Sequence, residues 1–200
     1  MRFRYYITGS GWAHLDIESG GKKFDYYDSL SMGGSLSDLL ESILTVLNVK
    51  NDFPINQLVY NDETNKINWT IDEEGTTVEF NFEVNNSKDK AILKIIQHYE
   101  NDECVLDEEI DFLEFIDEII NSCDIILNNY GIVGYFANGL HSGEFPITYY
   151  LLLKNYMQKE KSLKLETVFE KFDCYEEETN LLKTDINKEL YLIKVRGSVS

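Results

Sequence analysis

Basic residues are scarce in this chain: 18 lysines and arginines stand against 36 aspartates and glutamates, a formal net charge of −18. A surface of that sign repels nucleic-acid phosphates and anionic membranes at long range, which argues against both as partners and predicts affinity for a basic protein. Proline is nearly absent, at 2 residues, and no low-complexity or Pro/Ser-rich stretch offers itself as a linker. The 3 cysteines, Cys104, Cys123 and Cys174, are odd in number and widely spaced with no CxxC pair. A disulfide framework is thereby excluded, and a reducing, cytoplasmic setting is predicted. No apolar run approaches the roughly 18 residues of a membrane span, and the opening MRFRYYITGSGW lacks the apolar core of a signal peptide. Of the 3 histidines, His14, His98 and His141, no two stand three or four apart, so spacing predicts no metal ligand set and no cofactor.

What is present is the material of a packed core. The chain has 200 residues, 43% of them hydrophobic and 13% aromatic, enough for one α+β domain spanning residues 1–200. Antiparallel sheets built from meanders, with about three amphipathic helices packed on them, are the expected architecture. Over about residues 2–27, Phe3, Tyr5 and Ile7 alternate with Arg2, Arg4 and Tyr6, and Ala13, Leu15 and Ile17 alternate with Trp12, His14, Asp16 and Glu18. Both are period-two patterns, hence strands. A loop at Gly9-Ser10-Gly11 opposes Ile7 to Ala13, Tyr5 to Leu15 and Phe3 to Ile17 on one face, and Tyr6 to His14, Arg4 to Asp16 and Arg2 to Glu18 on the other. A two-residue loop would set Arg4 against Leu15, so matching of the faces selects the longer one. A turn centred on Gly20-Gly21 then opposes Ile17 to Phe24, Leu15 to Tyr26 and Glu18 to Lys23, giving a three-stranded meander.

Leu36, Leu39, Leu40, Ile43, Leu44 and Leu47 lie on one stripe of a helix over about residues 35–49, with Ser35 as its expected cap and the Phe3/Leu15/Phe24 face as its expected seat. A second antiparallel group is expected over about residues 55–107. It comprises Leu58 and Tyr60; Ile67, Trp69 and Ile71; Val78, Phe80 and Phe82; Leu93 and Ile95; and a strand from about Glu103 to Leu106. Ile92 and Ile96 lie on the opposite face from Leu93 and Ile95, which suggests cover on both sides of that strand. Over about residues 109–160 the period becomes helical, with Gly131 as the stop of one helix and Pro146 near the first turn of the next. Farther on, SLKLETVFEKF reads as helix and ELYLIKV as a final strand.

Motifs that would carry chemistry are incomplete. Gly9-Ser10-Gly11 opens like a dinucleotide fingerprint, but His14 stands where the third glycine belongs and a strand follows where a helix N-terminus is required. Gly20-Gly21-Lys22 has Asp16 where a P-loop has its leading glycine, and Gly139-Leu140-His141-Ser142-Gly143 places its serine one position late for a nucleophile elbow. The acidic run Asp107, Glu108, Glu109, Asp111, Glu114, Asp117 and Glu118 lies largely opposite the apolar stripe, as a solvated helix face does, and lacks EF-hand spacing. One constellation stands out instead. The second face of the meander carries Arg4, Tyr6, Trp12, His14, Asp16, Asp25 and Tyr27, with Tyr6, His14 and Tyr27 in one cross-strand row. Aromatics flanked by an arginine and two carboxylates combine large contact area with directional polar ends, the mixture that recognition surfaces favour. No catalytic residue is assigned.

The stretch YYITGSGWAHLDIESGGKKFDYY followed by SLSDLLESILTVL resembles the opening of small bacterial acidic α+β proteins, some of which act as immunity proteins that neutralise a toxin domain. The likeness covers the first quarter of the chain and supplies no residue roles. It implies a non-enzymatic, cytoplasmic protein-binding module directed at a basic toxin. An enzyme or small-ligand binder with its site on the same sheet face is the alternative, and a concave pocket around His14, Asp16 and Tyr27 would favour it.

Overall fold

The computed structural model describes residues 1–9, 11–30, 34–49, 65–73, 75–99, 101–139, 143–158, 163, 166–171 and 178–194. The expected strand at Leu58 and Tyr60, the loop residues His141 and Ser142, and Cys174 lie outside them. Three strands, β1 (Arg2–Gly9), β2 (Trp12–Ser19) and β3 (Lys22–Ser29), form an antiparallel sheet in that order. Every expected opposition occurs, from Ile7↔Ala13 to Arg2↔Glu18 in one ladder and from Leu15↔Tyr26 to Glu18↔Lys23 in the next. The pattern is local in origin. Alternating side chains demand one register, and Gly9, Gly11, Gly20 and Gly21 all take positive φ, so the turns can deliver it.

After helix α1 (Ser35–Val46) comes a second antiparallel sheet, β4 (Lys66–Asp72), β5 (Thr77–Val84), β6 (Lys90–His98) and β7 (Asp102–Asp111), also in sequence order. Here too Ile71↔Val78, Trp69↔Phe80 and Ile67↔Phe82 pair as the alternation requires. The inner faces of the two sheets meet through aromatic rings: Phe3 lies 6.3 Å from Trp69, and Tyr26 meets Phe80 edge-on at 5.8 Å. One apolar core runs from Phe3 to Leu192 and takes in residues of these two sheets, of α1 and of the helices that follow them. The architecture is α+β.

Helix α2 (Phe112–Asn138) lies along the edge strand β1. Strand β1 would otherwise present unpaired backbone donors, and the Ser122 hydroxyl on α2 accepts the buried Tyr5 N–H at 3.1 Å. Helix α3 (Ile147–Met157) packs on α1 and α2, β8 (Glu166–Lys171) pairs with β9 (Glu178–Lys183), and α4 (Ile186–Lys194) closes the described chain.

The structure differs from the sequence reading at several places, each for a physical reason. α1 runs beside β4 and α3, because the Phe3/Leu15 face is met by Trp69 and by Phe115 of α2. Ser35 is the first residue of α1 and spends its hydroxyl on the Asp28 carboxylate, so Gly34 is the N-cap. β7 extends to Asp111, held by Lys90↔Asp111, and α2 therefore starts at Phe112 with Asp111 accepting the Glu114 N–H at 2.8 Å. Gly131 interrupts α2 without ending it: with φ 66° and ψ −179° it breaks the helical path, and helix resumes as far as Asn138. Ile92 remains 43% exposed, so the outer face of β6 is not covered there. The segment expected as helix contains β8, and the one expected as final strand is α4. Cys123 is fully buried in the core and burial pushes its thiol pKa up, whereas Cys104 is exposed.

Candidate functional site

The outer face of the first sheet carries the side chains that alternation excludes from the core. On it, Tyr6 opposes His14 and His14 opposes Tyr27, so three rings line up across three strands. The Tyr6 and His14 rings meet edge to face at 4.9 Å, and His14 and Tyr27 tilt against each other at 4.7 Å. Both imidazole nitrogens are engaged: Nδ1 with the Tyr6 hydroxyl, Nε2 with Asp25 Oδ1. Asp16 Oδ1 also stands 3.6 Å from Nδ1. His14 is thereby 7% exposed on an outer sheet face, enclosed by the Tyr6 and Tyr27 rings and the Asp16 and Asp25 carboxylates.

Charge is arranged in pairs around this ring. Arg4 Nη2 contacts Asp16 Oδ2 at 2.8 Å, while Glu18 takes both Arg2, at 3.3 Å, and Lys23, at 2.8 Å. The hydrogen bond from Lys23, ahead of its charge and the contributions of Arg2, holds the Glu18 carboxyl below its ordinary pKa. The Tyr6 phenol moves the other way, raised first by desolvation and then by the charges of Asp16 and Asp25. Tyr6 is therefore a neutral hydrogen-bonding group and not an activated nucleophile. Beside these ion pairs a shallow depression of about 180 Å³ is lined by Arg2, Arg4, Asp16, Glu18, Lys23 and Asp25, together with Ile17 and Phe24.

Six of the seven residues singled out by alternation thus form one connected cluster: Arg4, Tyr6, His14, Asp16, Asp25 and Tyr27. Trp12 lies at the loop end of the same face, half-buried. Among the described residues no hydrogen bond or ring contact joins its indole to the others. Glu73, from the end of β4 in the other sheet, joins the site unannounced: its carboxylate accepts the Tyr27 N–H at 2.7 Å and the Tyr99 hydroxyl at 3.3 Å. No local pattern marks Glu73, because its position beside β3 depends on how the two sheets meet.

No family model, curated protein or solved structure matches this chain.

The other histidine in the described residues, His98, lies away from this face on β6. Its Nδ1 is 2.8 Å from Asp102, and its Nε2 is 3.3 Å from Glu79 but off the line of a hydrogen bond. The described part of the acidic run is mostly solvated, with Asp107, Glu109, Asp111, Glu114 and Asp117 exposed. No helix among the described residues is long and apolar enough to cross a membrane.

Proposed function

We propose that this protein is a non-enzymatic binding module that captures a basic protein partner on the open outer face of its first sheet. The observation that carries this reading is the exposure of a preorganised, mixed surface: Tyr27 is 52% exposed and the Asp25 side chain 66%, around a His14 ring already fixed by its neighbours. An aromatic anchor held in place loses little entropy on binding, and the flanking carboxylates offer acceptors to lysine and arginine. The net charge of −18 would draw such a partner in, raising the association rate more than the final affinity. An immunity-type role against a basic toxin is the partner class that the N-terminal resemblance implies. Less supports a small-ligand site, because the depression beside Arg4 and Asp25, at about 180 Å³, falls below the roughly 300–1,000 Å³ of ordinary ligand pockets.

The test is binding of the purified chain to the products of genes adjacent to its own, at low and at high salt. The expected result is a complex whose association slows with salt and which Tyr27→Ala weakens by about 2 kcal/mol. Absence of any complex, or one indifferent to salt and to Tyr27→Ala, overturns the reading.

A further inference from the structure

We infer that His14, Asp16 and Asp25 form a binding site for a divalent transition-metal ion of the zinc class. Asp16 and Asp25 are direct partners in the β2–β3 ladder, and their carboxylates leave the sheet on the same side. Like charges in that position repel. Arg4 answers Asp16, but both Arg2 and Lys23 are committed to Glu18, which leaves one guanidinium against two carboxylates. Among the described residues Asp25 thus faces the His14 ring and no lysine or arginine, and a cation between the two acids would give it a charged partner.

The donors are suitably placed. One ring nitrogen of His14 and one oxygen from each of Asp16 and Asp25 all lie within 4.8 Å of one another. Ligand atoms around a tetrahedral zinc ion, at about 2.0–2.2 Å from the metal, stand roughly 3.4 Å apart. Closing that difference requires rotation of the two carboxylates, for which the Asp25 side chain, 66% exposed, has more room than the Asp16 side chain, 27% exposed and paired with Arg4. The imidazole, in contrast, is held. The Tyr6 hydroxyl engages Nδ1, Asp16 Oδ1 stands 3.6 Å from that same nitrogen, and Nε2 faces Asp25. Metal-bound histidines are oriented in this way, with the far nitrogen tied to an oxygen that fixes ring and tautomer.

Donor chemistry selects the ion. Calcium takes six to eight oxygens, and magnesium keeps near-ideal octahedral geometry with oxygen donors, whereas an imidazole with two carboxylates suits zinc and its neighbours. Solvent reaches the cluster on the Asp25 side, so water or a partner's side chain would complete the coordination. The site requires no bound protein and goes beyond the partner-capture reading; either can fail alone.

The experiment is titration of the full-length chain with Zn²⁺, and separately with Ca²⁺, by calorimetry and by NMR of the histidine ring nitrogens. Expected are saturable Zn²⁺ binding, a shift of the His14 nitrogens while those of His98 stay put, and no comparable response to Ca²⁺. Asp25→Asn changes an exposed side chain and is expected to weaken Zn²⁺ binding at least tenfold, as is His14→Gln, while Asp107→Asn leaves it unchanged. Thermal unfolding of each variant without metal separates loss of the site from loss of the fold. No saturable Zn²⁺ binding, or binding that Asp25→Asn leaves intact or that moves the His98 nitrogens instead, overturns the assignment.

Discussion

Asp16 and Asp25 face each other across the β2–β3 ladder, and the Arg4 guanidinium, 2.8 Å from Asp16, offsets only one of the two charges. Arg2 and Lys23 both serve Glu18, so among the described residues Asp25 meets the His14 ring and no lysine or arginine. That exposed carboxylate is common ground for capture of a basic partner and for binding of a cation.

Arg4→Gln is expected to cost less than about 1 kcal/mol of stability, since the Arg4 and Asp16 side chains are 48% and 27% exposed and water screens the pair. Added salt should shrink the difference between variant and wild type. Urea unfolding at two salt concentrations measures both.

Tyr5→Phe should be costlier. The Tyr5 hydroxyl donates to the buried Asp28 carboxylate at 2.6 Å, beside the Ser35 hydroxyl, and burial outweighs both bonds in raising the Asp28 pKa. Losing one of these donors leaves a carboxylate with less compensation, an expected loss of roughly 1.5–3 kcal/mol in chemical denaturation. The sign with pH follows from the raised folded pKa. Ionised Asp28 is disfavoured by folding, so its contribution is most favourable below its ordinary value of 3.8 and is lost as pH rises through the folded value. Tyr5→Phe removes a bond that lowers the Asp28 pKa and should enlarge that loss, extending it to higher pH.

The interface of α2 and α3 contains a buried ion pair, Lys154 Nζ to Asp124 Oδ1 at 2.6 Å, with the Tyr150 hydroxyl bonded to both. Lys154 is 2% and Asp124 6% exposed. Lys154→Met strands a charge away from water and is expected to cost about 3–5 kcal/mol. Pairing it with Asp124→Asn should recover much of that loss, and a double-mutant cycle of unfolding midpoints reads the coupling.

His98 is expected to titrate above 6.5, principally through its hydrogen bond to Asp102 and further through the charges of Asp102 and Glu79. The protonated form is the one favoured by folding. Its stabilisation is thus complete below the unfolded pKa and disappears as pH rises through the folded one. Asp102→Asn should return the NMR titration midpoint of His98 toward 6.5.

Gly131→Ala is expected to destabilise by roughly 1–3 kcal/mol, although nothing within 4 Å would meet the added Cβ. The cost arises from φ 66° with ψ −179°, a combination nearly confined to glycine. Gly134→Ala, in helical conformation with only the Tyr130 Cβ at 3.3 Å nearby, is the milder comparison, and thermal unfolding ranks the two.

Much of this was legible in the chain itself. Period-two alternation dictates the ladders of both sheets, with glycines in both turns of the first sheet and in the β4–β5 turn of the second, because register mistakes would turn every apolar side chain of a strand to water. The same alternation collects Arg4, Tyr6, His14, Asp16, Asp25 and Tyr27 on one face, and the register sets Asp16 against Asp25. Metal spacing rules for helices could not see that group, since two of its donors are two residues apart on one strand and the third lies across the ladder.

Tertiary structure decided the rest. Ile186, Leu190 and Ile193 have helical spacing while Leu190 and Leu192 alternate, so Ile186–Lys194 satisfies both periods; it forms a helix that puts Leu192 wholly into the core. Ser35 could cap α1 or bond Asp28, and the proximity of β3 chose the latter. Glu73 reaches Tyr27, and Ser122 reaches Tyr5, only because sheet meets sheet and helix meets edge strand. Local periodicity records which side of an element avoids water. Which distant element covers that side depends on shape and on polar groups that must find partners, and only the assembled core settles both.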